Sequence, residues 1–172
     1  MKYFLETERL IIRQFDLSDA AFIMQLLNSP GWLEYIGDRN IRTTDDAEAY
    51  LANGPIKSYG TNGFGISMVL LKEGETPIGA CGLLKRDYLE DADIGFAFMP
   101  EYLGKGYGYE SAEAIINYAK GELNISHIKA FTVPNNIPSI NLLKKLGFGF
   151  EKTFKIPGEE EELFLFSLDL NE

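Results

Sequence analysis

Apolar positions along this chain alternate in short runs, and between the runs they recur at three- and four-residue spacing. The first pattern marks strands and the second marks helices. Residues 9–15 (RLIIRQF) read as a strand. Over residues 17–28, Ala21, Ile23, Met24 and Leu27 share one helical face, with Asp16 or Ser18 placed to cap it. Residues 28–41 contain Pro30, Gly31 and Gly37 and read as irregular. Thr43 or Thr44 opens a second helix that runs to about Leu51. Residues 64–71, 76–84 and 92–99 read as three strands of an antiparallel meander, turned at Gly74 and at the charged segment 85–91. Residues 108–120 place Ala112, Ile115, Ile116 and Ala119 on one helical face. Residues 128–133 form a short strand, and residues 138–146 a helix closed by Gly147. Residues 148–154 and 163–170 finish as strands. The expected class is α/β (α+β): a mixed, mostly antiparallel sheet of about seven strands, with helices on both faces.

A length of 172 residues fits one domain, 1–172, around one core. No apolar run reaches the roughly 18 residues that a membrane span needs, so no membrane partner is expected. Glu6, Glu8, Arg9 and Arg13 interrupt the first apolar pattern, which argues against a secretory leader and for a cytoplasmic location. Cys81 and His127 are the only cysteine and the only histidine. An internal disulfide is therefore impossible, and no metal is expected. The net charge of −10 and pI near 4.6 lack the footprint of a nucleic-acid binder and favour a cationic partner such as an amine. Acidic surfaces also serve plain solubility. Part of the excess is local: Glu159, Glu160, Glu161 and Glu162 form a run that reads as a solvated hairpin turn or as part of an acceptor entrance.

Residues 93–111 (DIGFAFMPEYLGKGYGYES) carry the most chemistry. A strand ends at Met99 and Pro100. A turn with Gly104, Lys105, Gly106 and Gly108 then opens directly into an amphipathic helix. Glycines let several N–H groups converge, the helix start adds partial positive charge, and Lys105 adds a full one. A pyrophosphate suits that arrangement. The Walker A pattern is absent, and Tyr109 stands where a dinucleotide fingerprint needs its third glycine. Residues 133–150 (VPNNIPSINLLKKLGFGF) form a second unit, in which Asn136 can cap a helix that ends in Lys144, Lys145 and Gly147.

Taken together, the two units resemble the GNAT superfamily of N-acetyltransferases. Residues 103–108 align with its Gln/Arg-x-x-Gly-x-Gly/Ala coenzyme loop. Asn136, Ser139, Lys145, Gly147 and Phe148 align with the β-α unit that follows. The opening ETERLIIRQF is similar to the branch of ribosomal-protein N-terminal acetyltransferases (RimJ/RimL-like). The resemblance implies a sheet whose fourth and fifth strands splay apart, and an acetyl-coenzyme A co-substrate in the gap. It implies cofactor contacts at Phe96, Phe98, Gly104, Lys105, Gly106, Tyr107, Gly108, Tyr109 and Asn136. Acetyl transfer would go directly to a primary amine, either a protein N-terminal α-amine or a small-molecule amine, within a ternary complex. Trp32 and Tyr35 would wall the acceptor, and a homodimer is a family-level expectation.

Two positions depart from the pattern. Leu103 replaces the usual Gln or Arg. Leu143 stands where many members carry a tyrosine acid, which moves the proton-donor role to Ser139. Asp93 is the favoured general base, because relatives often have Glu at that position; Glu34 and Glu101 are the other candidates. The competing readings are a non-catalytic coenzyme-A-binding regulatory module on the same fold, and an unrelated nucleotide-phosphate binder.

Overall fold

A computed structural model describes residues 4–171. Eight strands form one sheet: β1 (Phe4–Glu6), β2 (Leu10–Gln14), β3 (Ile66–Leu71), β4 (Thr76–Leu84), β5 (Asp93–Phe98), β6 (His127–Thr132), β7 (Gly149–Phe154) and β8 (Leu163–Asp169). Their order across the sheet is β1-β2-β3-β4-β5-β6-β8-β7. Every neighbouring pair is antiparallel except β5 and β6, which run parallel. The expected seven become eight because β1 pairs with β2, Leu5 opposite Ile12. Three residues are too few to show a period, so only pairing reveals this strand.

The helices are α1 (Ala20–Leu27), α2 (Pro30–Tyr35), α3 (Thr44–Leu51), α4 (Lys57–Asn62), α5 (Tyr107–Gly121) and α6 (Ile137–Lys145). The segment expected to be irregular therefore holds α2. Pro30 is its N1 residue and Ser29 its N-cap, and a proline costs nothing where the helix has no N–H bond to make. Thr43 caps α3 through a reciprocal box with Asp46. The chain then passes through a π turn at Ala52–Ile56 into α4, farther than the apolar pattern indicates. Pro55 lies inside that wide turn, where its missing N–H is tolerated.

Alternation sorts the sheet into two cores. Val69, Ile78, Cys81 and Ile94 pack beneath α5 and α6, together with Ala112, Ile115, Ile116 and Ala119 of α5. Met68, Leu70 and Ala80 face the other way, onto α1 and α3. Helices thus cover both faces, as the sequence predicts.

Candidate active site

The site begins where the sheet parts. β5 and β6 share one registered pair, Asp93 opposite Lys129, and Lys129 N–H donates to Ala92 C=O at 2.9 Å. That bond fixes which β5 residues turn their main chain toward β6. Even-numbered residues do so, while Asp93, Gly95 and Ala97 pair with Leu84, Gly82 and Ala80 of β4. Beyond the single pair, β6 is committed to β8 and leaves β5. Phe96 and Phe98 are left on the open edge, and their side chains pack partly buried against the α5/α6 core.

The gap opens into a cavity of about 520 Å³ that reaches both faces of the sheet. Trp32, Tyr35 and Tyr50 line it from the α2/α3 side, and Asn136, Ser139 and Leu143 from α6. Asp93 and Phe96 line it from β5, and Glu159 and Glu161 from the loop before β8. The glutamate run therefore does reach the cavity mouth. The structure thus gathers Asp93, Phe96, Asn136, Ser139, Trp32 and Tyr35 at one place.

Residues 104–109 and Phe98 lie outside that lining but adjoin it. A Cβ at Gly108 would sit 3.8 Å from Phe98 Cε2 and 3.0 Å from Leu142 Cδ2 of α6. Gly104 and Gly106 have φ of 73° and 85°, a region that favours glycine. Gly106 is the N-cap of α5 and supplies no side-chain cap, so the first-turn N–H groups of Tyr107, Gly108 and Tyr109 remain uncapped. Arg9 braces the loop: its Nη1 donates to Lys105 C=O at 3.0 Å, and its Nε donates to Glu110 at 2.7 Å. Lys105 Nζ stands 5.9 Å above the Tyr102 ring, and Lys145 Nζ 4.5 Å above Tyr109.

A family model described as an acetyltransferase (GNAT) domain matches residues 9–149. The chain belongs to the GNAT acetyltransferase family. It is 32% identical over 151 residues to the uncharacterized N-acetyltransferase YnaD of Bacillus subtilis, covering 88% of this chain and 85% of YnaD. Its fold matches a GNAT-family acetyltransferase from Bacillus anthracis at TM-score 0.81 and 26% identity, over 99% of this chain and 100% of the other. It also matches RimL, a ribosomal L7/L12 alpha-N-protein acetyltransferase solved with coenzyme A, at TM-score 0.84 and 13% identity, over 98% and 99% of the two chains. The chain is an N-acetyltransferase on the GNAT fold.

In this acetyltransferase, Asn136 Oδ1 accepts from Ser139 N–H at 3.3 Å and caps α6. The Ser139 hydroxyl makes no hydrogen bond within the described residues and lines the cavity. Leu143, one helical turn on, is buried and also lines it, so the cavity wall there is apolar.

Asp93 is not a solvated surface acid. It is 2% exposed, and Arg86 Nε donates to its Oδ1 at 3.0 Å. Burial pushes the Asp93 carboxyl above its ordinary value of 3.8, and the attraction of Arg86 only partly offsets that rise. Arg86 in turn stacks over Phe131 at 4.9 Å and donates to the Tyr88 hydroxyl at 3.2 Å. Sequence reasoning missed Arg86, which reads as one of several charges in a turn. Only the return of β5 beside that turn makes it the half-buried partner of Asp93.

The remaining titratable candidates fall away from the cavity. Glu34 and Glu101 are exposed and do not line it. His127 lies exposed at the start of β6, 3.7 Å from Asp169 Oδ2. Cys81 is buried, and burial pushes its thiol up to about 12. Among the described residues no cluster of His, Cys, Asp or Glu could hold a metal, and no helix is long and apolar enough to cross a membrane.

Proposed function

We propose that the protein transfers an acetyl group from acetyl-coenzyme A directly to a primary amine, with donor and acceptor held together in the cavity between β5 and β6. One observation carries this reading: an unpaired strand edge and an uncapped helix start adjoin a cavity that opens on both faces of the sheet. These features fit the coenzyme. The open main-chain groups of Phe96 and Phe98 would hold its pantetheine arm. The N–H groups at residues 104–109, with Lys105, would hold its diphosphate. The side-chain nitrogen of Asn136, which makes no bond of its own within the described residues, would hold the pantetheine near its acyl end. When bound, the coenzyme supplies an activated thioester.

The chain's own groups do the rest. Asp93, raised by burial, takes the amine proton directly or through one water. An N–H on the open edge of β5 polarises the acetyl carbonyl. The Ser139 hydroxyl returns a proton to the departing sulfur. Transfer is direct because the chain's single thiol is buried and kept protonated at neutral pH. Placing both reactants in one cleft lowers the barrier by proximity. Trp32 and Tyr35 wall the acceptor. RimL acts on a protein α-amine, which makes a peptide N-terminus one acceptor class to test beside small amines.

The test is thiol release from acetyl-coenzyme A across a panel of peptides and small amines. Release with at least one amine is expected. Coenzyme binding without release for any amine would favour a non-catalytic regulatory module.

A further inference from the structure

Arg39, Tyr50 and Arg86 line the acceptor side of the cavity; Arg86 holds Asp93, while Arg39 and Tyr50 have no part in the transfer chemistry. Arg39, between α2 and α3, has no carboxylate partner among the described residues. Arg86 spends Nε on Asp93 and Nη1 on Tyr88, which leaves Nη2 without a partner among the described residues. The Tyr50 hydroxyl also makes no hydrogen bond there. Burial pushes its phenol up, and Arg39 and Arg86 act against that rise, so both cations lie within electrostatic reach of one hydroxyl.

Arg86 is paired with Asp93 but keeps Nη2 to spare, and Arg39 beside it has no carboxylate partner among the described residues, so this corner of the cavity can take one more anion. The planar fork of arginine matches a carboxylate, and a phenol adds a further donor. The same cavity also carries Asp93, Glu159 and Glu161, which attract an ammonium group. Charges of both signs between aromatic walls fit a zwitterion better than a simple amine or polyamine, which the arginines would repel.

We propose that the amine acceptor also carries a carboxylate, and that Arg39, Arg86 and Tyr50 hold this acid group while the amine faces the acetyl end of the cavity. The inference rests on the transferase reading above and names its acceptor class. The acid can be the α-carboxylate of a free amino acid, the C-terminal carboxylate of a short peptide, or an acidic side chain beside a peptide N-terminus.

Thiol-release kinetics with acetyl-coenzyme A test it with matched acceptors. The pairs are phenylalanine against phenylalaninamide, a dipeptide against its amide, and an amidated peptide bearing Glu against one bearing Gln at its second residue. Amidation also changes amine basicity, so the readout is a double ratio. The acid-to-amide ratio of kcat/KM in the wild type is divided by the same ratio in Arg39→Gln. A value on the order of tenfold, carried in KM, is expected for loss of one charge-assisted contact. The pair that shows it identifies the source of the acid.

Trp32 is the only tryptophan and lines the cavity, so its emission gives a second readout. With coenzyme A present, the acid of the pair is expected to bind more tightly than the amide, and Arg39→Gln to remove the difference. An acid-to-amide ratio that Arg39→Gln leaves unchanged in both measurements overturns the proposal. Absence of thiol release with every amine would instead sink the transferase reading, and the emission titration would still decide the carboxylate subsite.

Discussion

Single side chains in this protein act through what surrounds them. Ser139 is a first-turn residue of α6, and its main chain is already satisfied by Asn136, so its hydroxyl is free for chemistry. Ser139→Ala is expected to lower kcat by roughly 100-fold, while the affinity for coenzyme A, read by calorimetry, stays the same. An unaltered kcat would remove Ser139 from the proton-donor role. Glu110 is a structural counterpart. Burial would raise its carboxyl, but hydrogen bonds from Thr7 Oγ1 and from Arg9 outweigh that and hold it below its ordinary 4.5. A depressed carboxylate contributes stability that is fully present above its unfolded-state value and is lost as pH falls through its folded-state value. Glu110→Gln is therefore expected to cost about 1–2 kcal/mol at neutral pH. In thermal melts its deficit against the wild type should close as pH drops below 4.5. A deficit that persists at low pH would show that charge is not its source.

At the scale of elements, the start of α5 is the feature on which the proposed coenzyme seat depends. Gly106 takes φ of 85°, and an added Cβ would lie 3.2 Å from Arg9 Nη2, the guanidinium that braces the loop. Gly106→Ala is expected to lose about 1–2 kcal/mol in chemical denaturation, from the left-handed backbone alone, and to weaken coenzyme affinity with it. Gly106→Glu, which also brings a carboxylate toward the diphosphate position, should abolish measurable coenzyme binding. Unchanged affinity in the Glu variant would place the diphosphate elsewhere. Leu103 is exposed, so the loop presents main-chain donors where relatives add a polar side chain. On the proposed reading the loop binds through its backbone, so Leu103 removes no contact that the diphosphate needs.

At the scale of the whole molecule, the decisive event is that β6 pairs with β8 and abandons β5 after one residue pair. The consequence is visible in hydrogen exchange. The N–H groups of Gly95 and Ala97 belong to the β4 ladder and should be protected in every state. Those of Phe96 and Phe98 face the open edge and should exchange fast in the free protein, then slow at least tenfold when coenzyme A is added. Equal rates with and without the coenzyme would mean that the parted edge is not its seat. The same parting lets α6 on one face and the α2/α3 region on the other line one cavity, which is how donor and acceptor can meet through the sheet.

What the sequence by itself determined is local. Apolar periods marked most strands and the face of α5, because each is set by neighbours within a few turns of chain; on α1 the buried face is Ala20, Ile23, Leu26 and Leu27, and Ala21, expected on it, is exposed. The glycine turn before α5 and the Asn136 cap were legible for the same reason: a backbone at positive φ or an uncapped N–H is a demand of a few residues. Resemblance to relatives added the parting of the strands. Tertiary structure alone decided the rest. β1 exists only through its pairing with β2. α2 and the π turn into α4 hold despite Gly31, Gly54 and Pro55, with Trp32 and Ile56 packed against the α1/α3 core and Pro55 buried. Asp93 became a raised acid only when folding buried it, with Arg86, seven positions away in sequence but across a turn in space, partly offsetting the rise. Arg39, Tyr50, Asn136 and Glu161 share one cavity although they lie far apart in the chain. Such meetings depend on register and crossover between distant segments, and no local spacing encodes them.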